Sequence, residues 1–173
     1  FSCRVSHTDE IWIRNGIRVN QHKKHSKAGG DLFEKCLKMC CISPSSALIH
    51  RSVFDDLGSF DENLKACEDY DFWLRYCAFE KTHFLNEPLT IKNGGHSDQL
   101  SQAYWGMDRF RIYSLEKLLQ NKKLTRSKYQ LALTELLRKL KILKNGSIKR
   151  GNSKFAEKLD KKIIHFEGLP KNE

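Results

Sequence analysis

The chain has 173 residues, is 39% hydrophobic and 10% aromatic, and carries a formal charge of +10. That is enough for one core, or one core with a helical appendage, and is too apolar for a disordered chain. No apolar run approaches the ~20 residues that span a bilayer as a helix. The charge is lopsided: residues 1–120 hold 16 Lys and Arg against 16 Asp and Glu, whereas residues 121–173 hold 15 against 5.

In chain order, residues 10–18 (EIWIRNGIR) predict two short strands around an Asn15-Gly16 turn, a dipeptide suited to the left-handed corner of a tight hairpin. Residues 21–30 are polar and basic and end in Gly29-Gly30, which predicts a mobile loop. A short helix is expected over 31–37, with Asp31 as its cap. Ser43-Pro44-Ser45-Ser46 reads as a turn into a short strand at 47–50. Residues 52–57 read as one helical turn stopped by Gly58. A helix is expected over 70–79 with Leu74, Cys77 and Ala78 on or near its inner face. Residues 83–85 and 89–91 predict edge strands around a Glu87-Pro88 turn.

Helical spacing then runs from 100 to 119 through Tyr104, Met107, Phe110, Ile112, Leu115, Leu118 and Leu119, and again over 127–143. It returns over 153–166, where Phe155, Leu159, Ile163 and Phe166 form a stripe. Residues 145–152, with two glycines, are expected to form a loop. The chain thus reads as mixed α/β (α+β) over residues 1–100, followed by a basic helical extension over 101–173.

The densest chemistry lies at the start of the 70–79 helix. Glu68, Asp69 and Asp71 crowd into four positions and are followed at once by Phe72-Trp73-Leu74. Clustered carboxylates repel and lose hydration unless a metal, a helix N-terminus or a substrate compensates them. Such a cluster, opening a helix after a loop, is a favoured place for acid–base chemistry.

Leu57-Gly58-Ser59-Phe60-Asp61-Glu62, followed by Cys67-Glu68-Asp69-Tyr70-Asp71-Phe72-Trp73-Leu74-Arg75, resembles the linked signature of family 2 glycosyltransferases, inverting enzymes of the GT-A fold that use nucleotide sugars. The resemblance is strongest over residues 7–112. It implies an incomplete GT-A-like fold, because no strand, Gly-rich turn and helix precede Ser43 to supply the N-terminal Rossmann-like half. The chain is therefore expected to be an acceptor-side part, inactive alone. Single sugar addition is expected over polymer synthesis, since the processive Gln-x-x-Arg-Trp motif does not occur.

By the same resemblance, Asp69 is the expected general base, with Glu68 as the other member of its pair. One carboxylate suffices for inversion, because it need only take the proton of the attacking hydroxyl. Asp69-x-Asp71 is not taken as the metal motif, which in the family lies upstream. Asp71 is instead expected to offset the helix dipole and to pair with Arg75 one turn on. His96, in a Gly94-Gly95-His96 loop, is the expected contact to the metal or the diphosphate. Ser45, Ser46, Trp73 and Ser101 are the expected substrate-binding residues, Trp73 by stacking on a sugar as Trp12 and Trp105 also could. The implied cofactor is Mg²⁺ or Mn²⁺, and the implied partners are a nucleotide-sugar donor and a glycan or lipid-linked acceptor, in cell-envelope polysaccharide synthesis.

The six cysteines are irregularly spaced and read as buried reduced thiols, which points to a cytoplasmic protein. His22-x-x-His25 with Cys36-x-x-x-Cys40 has zinc-type ligands, but the Lys/Gly-rich segment between them is unlike a zinc knuckle. The basic tail suits a solvated face or an anionic membrane surface at the inner side of the membrane. It carries no aromatic platform or helix-turn-helix pattern, so no nucleic-acid partner is expected. The alternative to an enzyme is a non-catalytic basic module that binds a membrane surface or a protein.

Overall fold

The computed structural model describes residues 3–95 and 104–169. The chain divides into two compact units, Phe1–Trp105 and Gly106–Glu173. The first is mixed α/β around a four-stranded sheet, and the second is helical.

Strand β1 (Val5–Arg14) is the spine of the sheet. The Asn15-Gly16 corner, with both residues at positive φ (50° and 77°), turns it into the antiparallel β2 (Ile17–Val19), pairing Trp12 with Val19 and Arg14 with Ile17. Strand β3 (Ala47–Ile49) runs antiparallel to the other end of β1, from Val5↔Ile49 to His7↔Ala47. Strand β4 (His83–Gly94) lies parallel to β1 over nearly its whole length. The expected pair of strands around Glu87-Pro88 is thus one continuous strand. Register shifts between Thr8 and Glu10 absorb the extra residues, so the proline sits in a bulge on an edge strand rather than in a turn. Across the same irregularity the buried positions of β1 pass from Val5 and His7 to Glu10.

The expected mobile loop is pinned at its end. Gly30 and Thr82 exchange backbone hydrogen bonds of 2.8 and 3.0 Å. A Cβ on Gly29 would stand 2.9 Å from the Phe84 nitrogen, so only glycine allows this approach. Helix α1 (Phe33–Lys38) follows, with Asp31 Oδ1 accepting the Phe33 N–H at 3.0 Å. Helix α2 (Ser52–Leu57) stops at Gly58, φ 74°.

Helix α3 (Glu68–Cys77) is the core of the unit. Tyr70, Phe72, Trp73, Leu74, Tyr76 and Cys77 are all buried, so the helix has no solvent face beyond its first turn and Arg75. Asp71 is buried with them, at 1% exposure. Its Oδ2 accepts the Arg75 Nε–H at 2.9 Å, and the remaining guanidinium N–H groups donate to the carbonyls of Leu57 and Ser59. Arg75 thereby ties the end of α2 to α3. Asp71 is more than the dipole-offsetting surface charge that its sequence position suggests.

In the second unit, α4 (Asp108–Leu119), α5 (Arg126–Lys149) and α6 (Ser153–Glu167) bury Leu115, Leu118, Leu136, Leu140, Leu159 and Ile163. The loop expected over 145–152 shrinks to its end, because α5 continues through Gly146 to Lys149. The Ser147 hydroxyl donates to the Leu143 carbonyl at 2.8 Å, and the chain breaks at Gly151, φ 71°. Asn152 then caps α6 by accepting the Phe155 N–H at 3.2 Å. Lys139, 1% exposed, is held by Glu135 (3.1 Å) and Asp108 (3.4 Å).

Arg75→Ala leaves a buried carboxylate and two carbonyls without their cation. The expected loss is roughly 3 kcal/mol in urea denaturation, with Arg75→Lys recovering only part of it because an ammonium cannot span three acceptors. A loss under ~1 kcal/mol would show that solvent screens the pair.

Candidate functional site

The first turn of α3 sorts its carboxylates. Cys67, just before it, is left-handed (φ 63°), a conformation that costs a residue with a Cβ about 1 kcal/mol. Glu68 and Asp69 follow, both half-buried, while Asp71 turns inward to Arg75. Asp69 Oδ1 accepts the Tyr70 N–H at 2.6 Å, and Oδ2 accepts the Cys40 thiol at 3.1 Å. Burial, then the Asp69 charge, push the Cys40 thiol well up, so it stays a neutral donor. The Cys40 sulfur also lies 3.2 Å from the Ile42 carbonyl, so the segment leading into Ser43–Ser46 is fastened to the α3 N-terminus. Each Asp69 oxygen keeps a lone pair beyond its bond, so the carboxylate can accept a further proton donor.

The other expected site residues fare differently. Ser45 is exposed, and its carbonyl accepts the Thr90 hydroxyl at 3.5 Å. Ser46 is 7% exposed and its hydroxyl donates to Ser43 O at 3.1 Å, closing its own turn instead of facing a ligand. Trp73 is 0% exposed, with Phe72 edge-on at 5.0 Å; stacking on a sugar is not open to a ring in the core. His96 and Ser101 lie outside the described residues. Among the described residues no group of three or more His, Cys, Asp or Glu is placed to hold a metal ion, His22, His25, Cys36 and Cys40 included. None of the six cysteines is in a disulfide, and Cys36, Cys41 and Cys77 cluster in the core.

A second polar cluster went unread in the sequence. The cross-strand pairs Glu10↔Thr90 and Trp12↔Lys92 put these four side chains on one face of the sheet. Glu10, its side chain wholly buried, accepts the Trp12 indole N–H at 2.9 Å and stands 3.6 Å from Lys27 Nζ, itself 5% exposed. Burial raises the Glu10 carboxyl, but the Ser43 hydroxyl, the Lys27 ammonium and the Trp12 N–H outweigh it, and the group is held below its ordinary range. Lys27 and Lys92 both reach Ser43 Oγ, at 3.2 and 3.3 Å. In the sequence Lys27 is one more lysine in a solvated basic run, and Glu10 carries no motif.

Eighty-five residues of this chain are 31% identical to a protein described as an uncharacterized glycosyltransferase from Rickettsia typhi (strain ATCC VR-144 / Wilmington), and a counterpart from Rickettsia prowazekii (strain Madrid E) matches equally well. The match covers 49% of this chain and 26% of each relative, so the chain spans about a quarter of their length. No family model matches the chain, and no solved structure matches it.

His7 gives the unit a pH signature. It is 1% exposed and packs on Phe84 with ring centroids 5.2 Å apart; its Nε2 lies 3.0 Å from the Ala28 carbonyl, to which it donates as Nε2–H. Burial, then the Lys27 charge, lower it to about 4. An unfolded histidine titrates near pH ~6.5. Between these values the unfolded chain binds a proton that the folded chain refuses, so stability is present above the window and is lost as pH falls through it, by roughly 3 kcal/mol in all. The urea midpoint should drop between pH 7 and pH 5 more in the wild type than in His7→Gln, which keeps a donor and cannot charge. Equal slopes in the two proteins would remove His7 as the source.

Proposed function

We propose that this chain is the acceptor-side part of an inverting glycosyltransferase of family 2, with a GT-A-like fold completed by a nucleotide-binding half. The observation that carries the reading is the sorting of carboxylates on α3: Asp71 is consumed by Arg75, while Asp69 is held half-buried and in place by Cys40 and the Tyr70 N–H. Asp69 takes the proton of the acceptor hydroxyl as that oxygen bonds to the anomeric carbon. The bond from that carbon to the nucleotide diphosphate breaks on the opposite face, which inverts the centre. Glu68 and the exposed Ser45 are assigned to the acceptor in this reading, as is Ser101, which lies outside the described residues. Mg²⁺ or Mn²⁺, if bound, would supply positive charge to the leaving diphosphate, and His96 would be this chain's residue for that contact. Among the described residues no group of three or more His, Cys, Asp or Glu forms a site for it.

In an enzyme carrying both halves, Asp69→Asn keeps size and hydrogen bonding but cannot accept a proton. It should leave nucleotide-sugar binding nearly intact and slow transfer by roughly 10²–10⁴-fold, whereas Ser45→Ala should cost far less. An unchanged rate in Asp69→Asn would reduce the cluster to a helix start.

The second reading, a peripheral contact with an anionic membrane, is favoured by the pairing within the tail. Glu135, Asp160 and Glu167 are engaged by Arg138, Lys144 and Lys141, while Lys149, Lys154, Lys158 and Lys161 are exposed. Among the described residues no helix is long and apolar enough to cross a membrane. Replacing these four lysines by alanine should weaken binding to phosphatidylserine vesicles by on the order of a thousandfold, at about 1 kcal/mol per lysine near the surface, and salt should erase the difference. Equal binding to neutral vesicles would remove the electrostatic basis.

A further inference from the structure

We propose that the β1/β4 face around Trp12, Lys27, Lys92 and Ser43 binds a phosphoryl group, and that the ligand is a phosphorylated sugar acting as acceptor. The acceptor role rests on the transferase reading above; the binding does not. Two ammonium groups from separate segments converge on one neutral hydroxyl, Lys27 Nζ at 3.2 Å and Lys92 Nζ at 3.3 Å from Ser43 Oγ. Like charges brought this close repel, and Glu10 at 3.6 Å from Lys27 supplies a single carboxylate against two cations. The surplus is felt nearby: burial, then Lys24, His22, Lys27 and Lys92, hold His25 below its ordinary range. An oxyanion bridging the two lysines removes that imbalance, and charge-assisted bonds of this kind are the strong ones.

The surroundings suit a sugar carrying that anion. Trp12 has Lys92 Nζ 5.3 Å from its ring and His25 5.4 Å away, and it lines a cleft of about 420 Å³ with Arg14, His22, His25, Lys92 and Asn20. Of the two lysines Lys92 lines this cleft, and Lys27 lines the adjoining one, of about 500 Å³, together with Asp9 and Glu10. Both sizes lie within the ~300–1,000 Å³ of small-molecule sites. The cluster is also close to the proposed base. Asp69 Oδ2 is 3.1 Å from Cys40 Sγ, which is 3.2 Å from Ile42 O, the carbonyl bonded to the Ser43 nitrogen. Asp69 and Ser43 Oγ are therefore no more than about 11 Å apart by standard covalent dimensions. One sugar ring with a phosphate at one end and a free hydroxyl at the other bridges such a gap.

The test is a titration of the 173-residue protein with glucose 6-phosphate, glucose and UDP, followed by Trp fluorescence and amide NMR. The expected result is saturable binding of glucose 6-phosphate, at least about tenfold tighter than glucose, with shifts at Trp12, Ser43 and Lys92. Lys92→Ala, a change at an exposed side chain, should weaken it by about fivefold or more, and Lys65→Ala, on the exposed turn before α3, should not. This binding is read without any sugar transfer, so its outcome is separable from that of the transfer assay on Asp69→Asn. Indifference to the phosphate, or equal loss in Lys92→Ala and Lys65→Ala, overturns the site. UDP binding there more tightly than the sugar phosphate overturns the acceptor assignment in favour of the donor diphosphate.

Discussion

A helix buried beyond its first turn cannot carry Asp69 and Asp71 unless the two are given different partners, and the first unit is organised around that requirement. Asp71 is desolvated and must be matched, so Arg75 sits one turn on, with its remaining donors spent on the carbonyls that end α2. Removing either partner leaves an uncompensated buried group worth several kcal/mol, and this makes the pair a constraint on two helices at once. Asp69 is left at the half-buried N-terminus, where unpaired N–H groups and the helix dipole favour an anion. Its partners are a backbone amide and a neutral thiol, neither of which cancels its charge. The burial of α3 and the availability of its outer carboxylate are consequences of the same sorting.

Much of this was legible from local chemistry. The hairpin follows from Asn15-Gly16, whose residues tolerate positive φ, and α2 ends where Gly58 allows the turn out. The helices of the tail follow from apolar spacing, and the Asp71–Arg75 pair from its i, i+4 separation. What misled was punctuation read without its tertiary context. Pro88 lies inside β4 because an edge strand with a bulge does not need its N–H, and Gly146 lies inside α5 because packing carries a helix through one poor former. Trp73 beside a carboxylate cluster invites a sugar-stacking role, yet in a helix without a solvent face the ring is core.

The cluster on the β1/β4 face was illegible for a different reason. Its members come from residues 10, 12, 27, 43 and 92, and only the parallel pairing of β1 with β4 and the docking of Gly29-Gly30 beside Phe84 bring them together. Lys27 is drawn inside by Glu10, so a segment that looks solvated supplies one buried cation and a structured 3₁₀ turn at Lys23–His25. Sequence spacing holds no record of such a meeting.

The two polar centres are compatible because their charges are kept apart in effect as well as in space. A base loses strength beside uncompensated cations. At separations on the order of 10 Å, however, one unit charge is worth only about 0.4 kcal/mol in water, and ~1.5 kcal/mol at an effective dielectric constant of 20. Glu10 already offsets Lys27 at 3.6 Å, which leaves Lys92 as the uncompensated one of the two lysines at Ser43. An anion arriving between Lys27 and Lys92 lowers that remainder further. In the proposed reading, anion binding at one end of the segment and proton acceptance at the other thus favour rather than oppose each other.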